Sequence, residues 1–195
     1  MRAGFLPAAL LLLLATPAAA EWHVKPFAAL TFGSGTTFVD IEKAVPRPHR
    51  GFGVTGVVTG EILGVDADFG RVSGFFQRGD QNLLLASSVT TVSGDLIVAM
   101  PHRMTQYTLR PYFVAGAGMM RVRIDGRLGS LRVASTLPAM NLGGGATGFL
   151  TKRVGLSWEI RRFGSFGGKN QAHGASFGDE QLSFWRANMA VAVKH

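Results

Sequence analysis

The chain contains no cysteine. Disulfide scaffolds, thiolate metal sites and cysteine nucleophiles are therefore excluded. Charge is also sparse: 16% of the 195 residues are Asp, Glu, Lys or Arg, against a usual ~25%. Acids are the scarcer sign, 12 against 20 basic residues, which leaves a net charge of +8. Low charge together with 47% hydrophobic residues excludes a disordered chain. Long apolar runs are missing beyond residue 20. The longest, Pro111–Met120, is broken by Pro111, Gly116 and Gly118, and each interior glycine costs a helix about 1 kcal/mol relative to alanine. No transmembrane helix is expected there. Glycine is in excess, at 26 residues, without the three-residue period of collagen.

Residues 1–20 read as a secretory signal peptide. Arg2 supplies a positive start, Phe5 to Ala15 an apolar core, and Ala18-Ala19-Ala20 the small residues of a cleavage site, so cleavage after Ala20 is expected. The apolar core is too short for the roughly 20 residues that cross a bilayer as a helix. The expected domains are this signal and a single unit over 21–195. An exported, apolar chain without a spanning helix can still enter a membrane as a closed barrel, which pairs every backbone group between strands.

Eight stretches of 21–195 alternate with a period of two, and alternation places successive side chains on opposite faces of a strand. In the first, Trp22, Val24, Ala28, Leu30 and Phe32 oppose His23, Lys25 and Thr31. In the second, Phe52, Val54, Val58 and Ile62 oppose Thr55, Thr59 and Glu61; in the third, Val65, Ala67 and Phe69 oppose Asp66 and Asp68. The fourth sets Val92, Leu96, Val98 and Met100 against Thr91, Ser93 and Asp95. The fifth sets Tyr112, Val114, Met120, Val122 and Ile124 against Arg121 and Arg123. The sixth sets Met140, Leu142, Ala146 and Leu150 against Asn141 and Thr147. In the seventh, Val154, Leu156, Trp158 and Ile160 oppose Ser157, Glu159 and Arg161; in the eighth, Trp185, Ala187, Met189, Val191 and Val193 oppose Arg186 and Asn188.

These segments predict an all-β fold: one eight-stranded, antiparallel, up-and-down transmembrane β-barrel with its apolar faces toward lipid. The connections agree. Long ones are expected at 34–50, 77–88, 125–139 and 164–181, and short ones at 63–64, 101–108 and 151–153. Outer-membrane barrels alternate in this way between external loops and periplasmic turns. Interface girdles are expected from Trp22, Tyr112 and Trp158 at the periplasmic ends, and from Phe32, Phe52 and Trp185 at the external ends.

Three strings carry a family resemblance: Leu109-Arg110-Pro111-Tyr112-Phe113-Val114-Ala115-Gly116-Ala117-Gly118, Asn141-Leu142-Gly143-Gly144-Gly145-Ala146, and Val154-Gly155-Leu156-Ser157-Trp158-Glu159-Ile160-Arg161. They resemble the small eight-stranded outer-membrane β-barrel proteins, the porin-like group of surface-antigen barrels. The resemblance covers most of 21–195. It implies an integral protein of a Gram-negative-type outer membrane, non-enzymatic, serving envelope integrity, surface contact or limited passage of small solutes. Such barrels usually end in an aromatic residue read by the barrel-insertion machinery. This chain ends Val193-Lys194-His195, with imidazole as its final ring.

The inward faces of the eight segments carry Lys25, Arg121, Arg123, Arg161 and Arg186 against Glu61, Asp66, Asp68, Asp95 and Glu159. An eight-stranded barrel is just wide enough to be filled by side chains, so the expected arrangement is a structural network of ion pairs; the alternative is a narrow polar channel. Gly51-Phe52-Gly53-Val54-Thr55-Gly56 has dinucleotide-motif spacing, but Val57-Val58-Thr59 follows where a helix N-terminus would be needed. Arg78-Gly79-Asp80 matches an adhesive tripeptide in an expected loop. His173, Ser176 and Glu180 suggest a lipid A deacylase-like enzyme, yet a three-residue spacing points His173 and Ser176 to opposite faces of a strand. A soluble periplasmic ligand-binding barrel would need an apolar lumen. No cofactor or metal is expected, and the basic residues form no run suited to nucleic acid. The expected partners are membrane lipid and lipopolysaccharide, with Arg162 near lipid phosphates, besides the insertion machinery. A monomer is expected.

Overall fold

The structure, a computed structural model, describes residues 21–36, 48–75, 84–105, 109–126, 132–166 and 182–194. Eight strands make up nearly all of it: β1 Glu21–Thr36, β2 His49–Thr59, β3 Leu63–Ser73, β4 Leu84–Ala99, β5 Leu109–Gly126, β6 Arg132–Phe149, β7 Val154–Ser165 and β8 Leu182–Lys194. Each pairs antiparallel with its sequence neighbours, and β1 pairs with β8 to close the barrel. Closure leaves no sheet edge to be satisfied by water or by another chain. The seam is locked at one end by Lys194 Nζ donating to Glu21 Oε1 at 2.5 Å. Near its other end β1 bulges between Phe32 and Gly35, where Gly33 takes φ +60°, a left-handed conformation that glycine adopts without a Cβ clash.

One end of the barrel is tied by compact turns. Gly60 donates to the Leu63 carbonyl at 2.8 Å, closing the β2–β3 turn. The Thr151 hydroxyl accepts from the Val154 amide at 3.0 Å and caps the β6–β7 turn. A single 3-10 turn, His102–Met104, lies between β4 and β5. Arg110 then joins two of these turns, donating to the carbonyls of Met100 (3.0 Å), Gly60 (2.8 Å) and Glu61 (2.7 Å). Here this end is called the short-turn end and the opposite one the long-connection end.

Strands run further into the expected loops than alternation suggested. The expected connection 125–139 shrinks to 127–131, because β6 already begins at Arg132. Pro138 obscured this. A proline removes a ladder donor and normally marks an edge. Its carbonyl accepts from Phe166, so its missing N–H would have pointed to the same side, where the β6–β7 pairing has stopped at Ala139↔Ser165. The missing donor therefore falls at the end of the ladder, opposite Phe166, and interrupts no bond inside it.

The lumen is filled in layers. Toward the long-connection end lies an apolar layer that includes Val72, Phe75, Val89, Met120, Val122, Leu137, Phe163 and Phe184. The Phe163 and Phe184 rings stack at 5.2 Å, and Phe75 meets Phe184 edge-on at 5.3 Å. Side chains of this size contribute about 1.5–3 kcal/mol each when fully buried. A second apolar group, Val57, Ile97, Ala99, Tyr112 and Val114, lies toward the short-turn end. Ionised side chains occupy the level between them.

The outer surface is the reverse. Leu96, Phe113, Met119, Leu142, Trp158 and Met189 are each more than half exposed. On β5 the outward row Leu109, Pro111, Phe113, Ala115, Ala117, Met119 has no polar side chain. At about 3.3 Å per residue and a tilt of about 35–45°, it covers the roughly 25 Å apolar band of a membrane barrel.

Candidate functional site

The site is the luminal ion network, whose charges come from five strands, β1, β3, β4, β7 and β8. Arg161 on β7 and Arg186 on β8 are the largest fully buried side chains among the described residues. Arg161 donates through Nη2 to Asp66 at 2.8 Å, through Nη1 to Asp95 at 2.5 Å, and through Nε to Glu159. Arg186 Nη2 donates to Asp68 at 2.7 Å, and its guanidinium lies between the Phe27 and Phe163 rings at 4.9 and 4.6 Å. Asp95 and Asp68 have further donors, while Asp66 keeps one oxygen, Oδ1, buried without a partner among the described residues. Asn141 Nδ2 and the Ser93 hydroxyl reach Asp95 at 2.6 and 3.0 Å, and the Thr55 hydroxyl reaches Asp68 at 3.0 Å. Lys25 donates to Thr147 at 3.2 Å and sits 4.6 Å over the Tyr112 ring. Two charges taken out of water cost several kcal/mol each unless geometry and extra hydrogen bonds compensate; these contacts provide that compensation.

Glycines make room for the network. Asp95 lies opposite Gly116 on β5, while Arg161 and Glu159 lie opposite Gly143 and Gly145 on β6. A Cβ at Gly116 would overlap the Asp95 carboxylate and lie 2.5 Å from the Gly94 carbonyl oxygen. Gly53, in the segment with dinucleotide-motif spacing, likewise faces Phe27 from within β2.

The structure thus brings together Lys25, Asp66, Asp68, Asp95, Glu159, Arg161 and Arg186. It does not bring in Glu61, Arg121 or Arg123. Glu61 lies in the β2–β3 turn and meets Arg103 at 3.4 Å in the open, because β2 ends at Thr59 and alternation no longer governs position 61. The phase of β5 is the opposite of the one expected. Tyr112, Val114, Met120 and Val122 are buried inside, and Arg121 and Arg123 are exposed outside. Tyr112 is consequently no part of an interface girdle: its hydroxyl donates to Glu159 at 2.8 Å across the lumen. Between Tyr112 and Met120 both faces of β5 are apolar or small, so polarity could not set its phase. A usable signal was present: Gly116 and Gly118 share the phase of Tyr112, and small residues are needed where Asp95 and Ser93 stand opposite. Of the remaining girdle candidates, Trp22, Phe32, Phe52 and Trp158 are exposed and Trp185 half-buried on the outer face.

Arg78-Gly79-Asp80 and His173, Ser176 and Glu180 lie outside the described residues, as do 1–20 and His195. Among the described residues no group of three or more His, Cys, Asp or Glu could hold a metal ion. The network offers cohesion: among the described residues both luminal guanidiniums, those of Arg161 and Arg186, are paired to carboxylates.

A closed, antiparallel, eight-stranded barrel, apolar outside and charged inside, has the architecture of the small outer-membrane barrel proteins. Solved structures of three proteins, among others, share it. Neisserial surface protein A is 15% identical over 89% of this chain and 97% of that one, with a TM-score of 0.66. OprG from Pseudomonas aeruginosa is 12% identical over 91% and 97%, with a TM-score of 0.59. Ail, the attachment invasion locus protein of Yersinia pestis, solved with and without the heparin analogue sucrose octasulfate, is 11% identical over 89% and 98%, with a TM-score of 0.54. No family model matches the chain, and no curated protein does. At these identities the likeness is one of fold.

Proposed function

We propose that the chain is a monomeric, non-enzymatic outer-membrane protein, exported by a signal over residues 1–20, that serves envelope integrity or surface contact. The short-turn end faces the periplasm and the long connections face outward. The observation that carries this reading is the pairing of an apolar outer band with a filled lumen. An apolar outside needs hydrocarbon around it. A lumen occupied by Arg161, Arg186 and their carboxylates under an apolar layer favours an anchor over solute passage. A soluble ligand-binding barrel would require the opposite distribution.

Three measurements test it. Purified protein in planar bilayers should show no steady conductance; a reproducible single-channel current would restore the passage reading. An epitope inserted after Lys169 should be reachable by antibody on intact cells. Accessibility only after the outer membrane is opened would invert the topology, and recovery of the protein in the osmotic-shock fraction would remove it from the membrane.

A further inference from the structure

The reversed phase of β5 moves two arginines from the lumen to the outer surface, and they do not stand alone there. On β3, β4 and β5 the outward apolar band ends at one row of paired residues, Phe69↔Val92↔Met119. The next outward row toward the long-connection end is Arg71↔Thr90↔Arg121, continued by Thr136 on β6. The row after that is Ser73↔Ser88↔Arg123. The surface therefore changes within one step from hydrocarbon to arginine and hydroxyl. Arg71 and Arg121 are two strands apart, about 10 Å at the usual strand spacing. Arg71, Arg121, Arg123 and Thr136 are exposed, and Thr90 and Ser88 half-exposed. Among the described side chains no carboxylate pairs with any of these three arginines, whereas Arg161 and Arg186, the two in the lumen, are both paired.

We infer that this patch on β3–β5 binds the phosphoryl groups of a polyphosphorylated lipid in the outer leaflet. On the reading proposed above, that lipid is lipopolysaccharide. Three features fit this occupant. Unpaired guanidiniums form forked, charge-assisted hydrogen bonds to phosphate oxygens. Interleaved hydroxyls add neutral donors. The patch also begins where the apolar band stops, so a lipid whose chains cover Phe69, Val92 and Met119 presents its head at Arg71 and Arg121. A soluble polyanion would have no use for that continuity. Arg162, outward on β7 between Leu142 and Trp185, stands apart from the patch.

The test uses protein folded into phosphatidylcholine vesicles containing a small fraction of dansyl-labelled diphosphoryl lipid A. Tryptophan-to-dansyl energy transfer reports how far the lipid is concentrated around the barrel. The expected result is about ten-fold enrichment over random mixing, the factor one charge-assisted hydrogen bond supplies. Enrichment should collapse in R71Q/R121Q/R123Q and with dephosphorylated lipid A, and persist in K152Q/R153Q, which removes exposed charge at the opposite end. Enrichment that survives the triple change, or falls equally in the K152Q/R153Q control, would overturn the site. Lipid-free binding of sucrose octasulfate that depends on the same three arginines and outcompetes lipid A would make it a receptor for soluble polyanions and overturn the lipid assignment. Resistance to unfolding in SDS before heating shows that each variant is folded. A wild-type chain that folds without enriching the lipid refutes this inference alone; one that cannot fold into vesicles refutes the barrel-in-membrane reading.

Discussion

The Tyr112 hydroxyl and the Glu159 carboxylate meet across the lumen at 2.8 Å, joining β5 to β7 over the intervening strand β6. The same carboxylate accepts from Arg161 and from Asn188, so the phenol completes the coordination of a buried charge. Tyr112→Phe deletes one hydrogen bond to an ionised acceptor and keeps the ring under Lys25. It should cost about 1.5–3 kcal/mol, read as a lower urea midpoint for unfolding from vesicles. An unchanged midpoint would mean that Tyr112 does not reach Glu159 and would reopen the phase of β5.

Arg161→Met should be much more damaging. It strands Asp66, Asp95 and Glu159 without their shared cation, and breaking a buried pair costs about 3–5 kcal/mol. Adding Asp95→Asn to the same chain removes one stranded charge and should recover part of the loss. If the double variant is no more stable than Arg161→Met, the ions are not coupled as their geometry requires.

Depth in the membrane gives a third expectation. Leu96 is 68% exposed in the middle of the outward apolar run Val92–Met100, while Leu150, 75% exposed, lies just past the end of β6 in a turn. Leu96→Arg should destabilise by about 2–4 kcal/mol and Leu150→Arg by about 0–1, because the cost of an outward charge falls from midplane to interface. Equal losses, measured as folded fraction in vesicles, would contradict an apolar band centred on Leu96.

Glycine gives the fourth, since Gly116 and Gly94 stand on adjacent strands with opposite surroundings. Gly116→Ala puts a methyl into the Asp95 carboxylate and should cost about 1–3 kcal/mol by overpacking. Gly94→Ala meets nothing within 4 Å and should be neutral or stabilising by at most about 1 kcal/mol, through the unfolded chain. Thermal unfolding in detergent compares the two; the reverse order would exchange the inner and outer faces of β4 and β5.

Most of this architecture is legible in the sequence where one face of a strand carries charge. Asp66 and Asp68 set the phase of β3, Asp95 that of β4, Glu159 and Arg161 that of β7. Strand β5 resisted because arginine in a strand has two destinations, the lumen or the headgroup layer, and alternation alone does not tell them apart. Arg121 and Arg123 are outside because they lie beyond Met119, past the end of the apolar band, and depth is not written in a period of two. Glu61 was misplaced for a related reason: a pattern carried one residue past its strand assigns a face to a turn. The partners of Arg161 were beyond reach too, since they depend on how the sheet curls.

That curling has a consequence for assembly. The three luminal aspartates lie on β3 and β4, and the arginines they bind lie on β7 and β8, 66, 95 and 118 residues away in the chain. Laid flat, the sheet would carry three negative charges on β3 and β4 and a net positive charge on β7 and β8, where Glu159 offsets one of the two arginines. Among the described residues the β3–β4 hairpin has no luminal cation of its own; only rolling the sheet brings Arg161 and Arg186 to its aspartates. Opposite charges segregated along the chain thus supply a bending force with a definite direction, toward the closed form with the ions inside. Exchanging Asp68 and Arg186 would preserve that pull, while two like charges at these positions would hold the rolling sheet open.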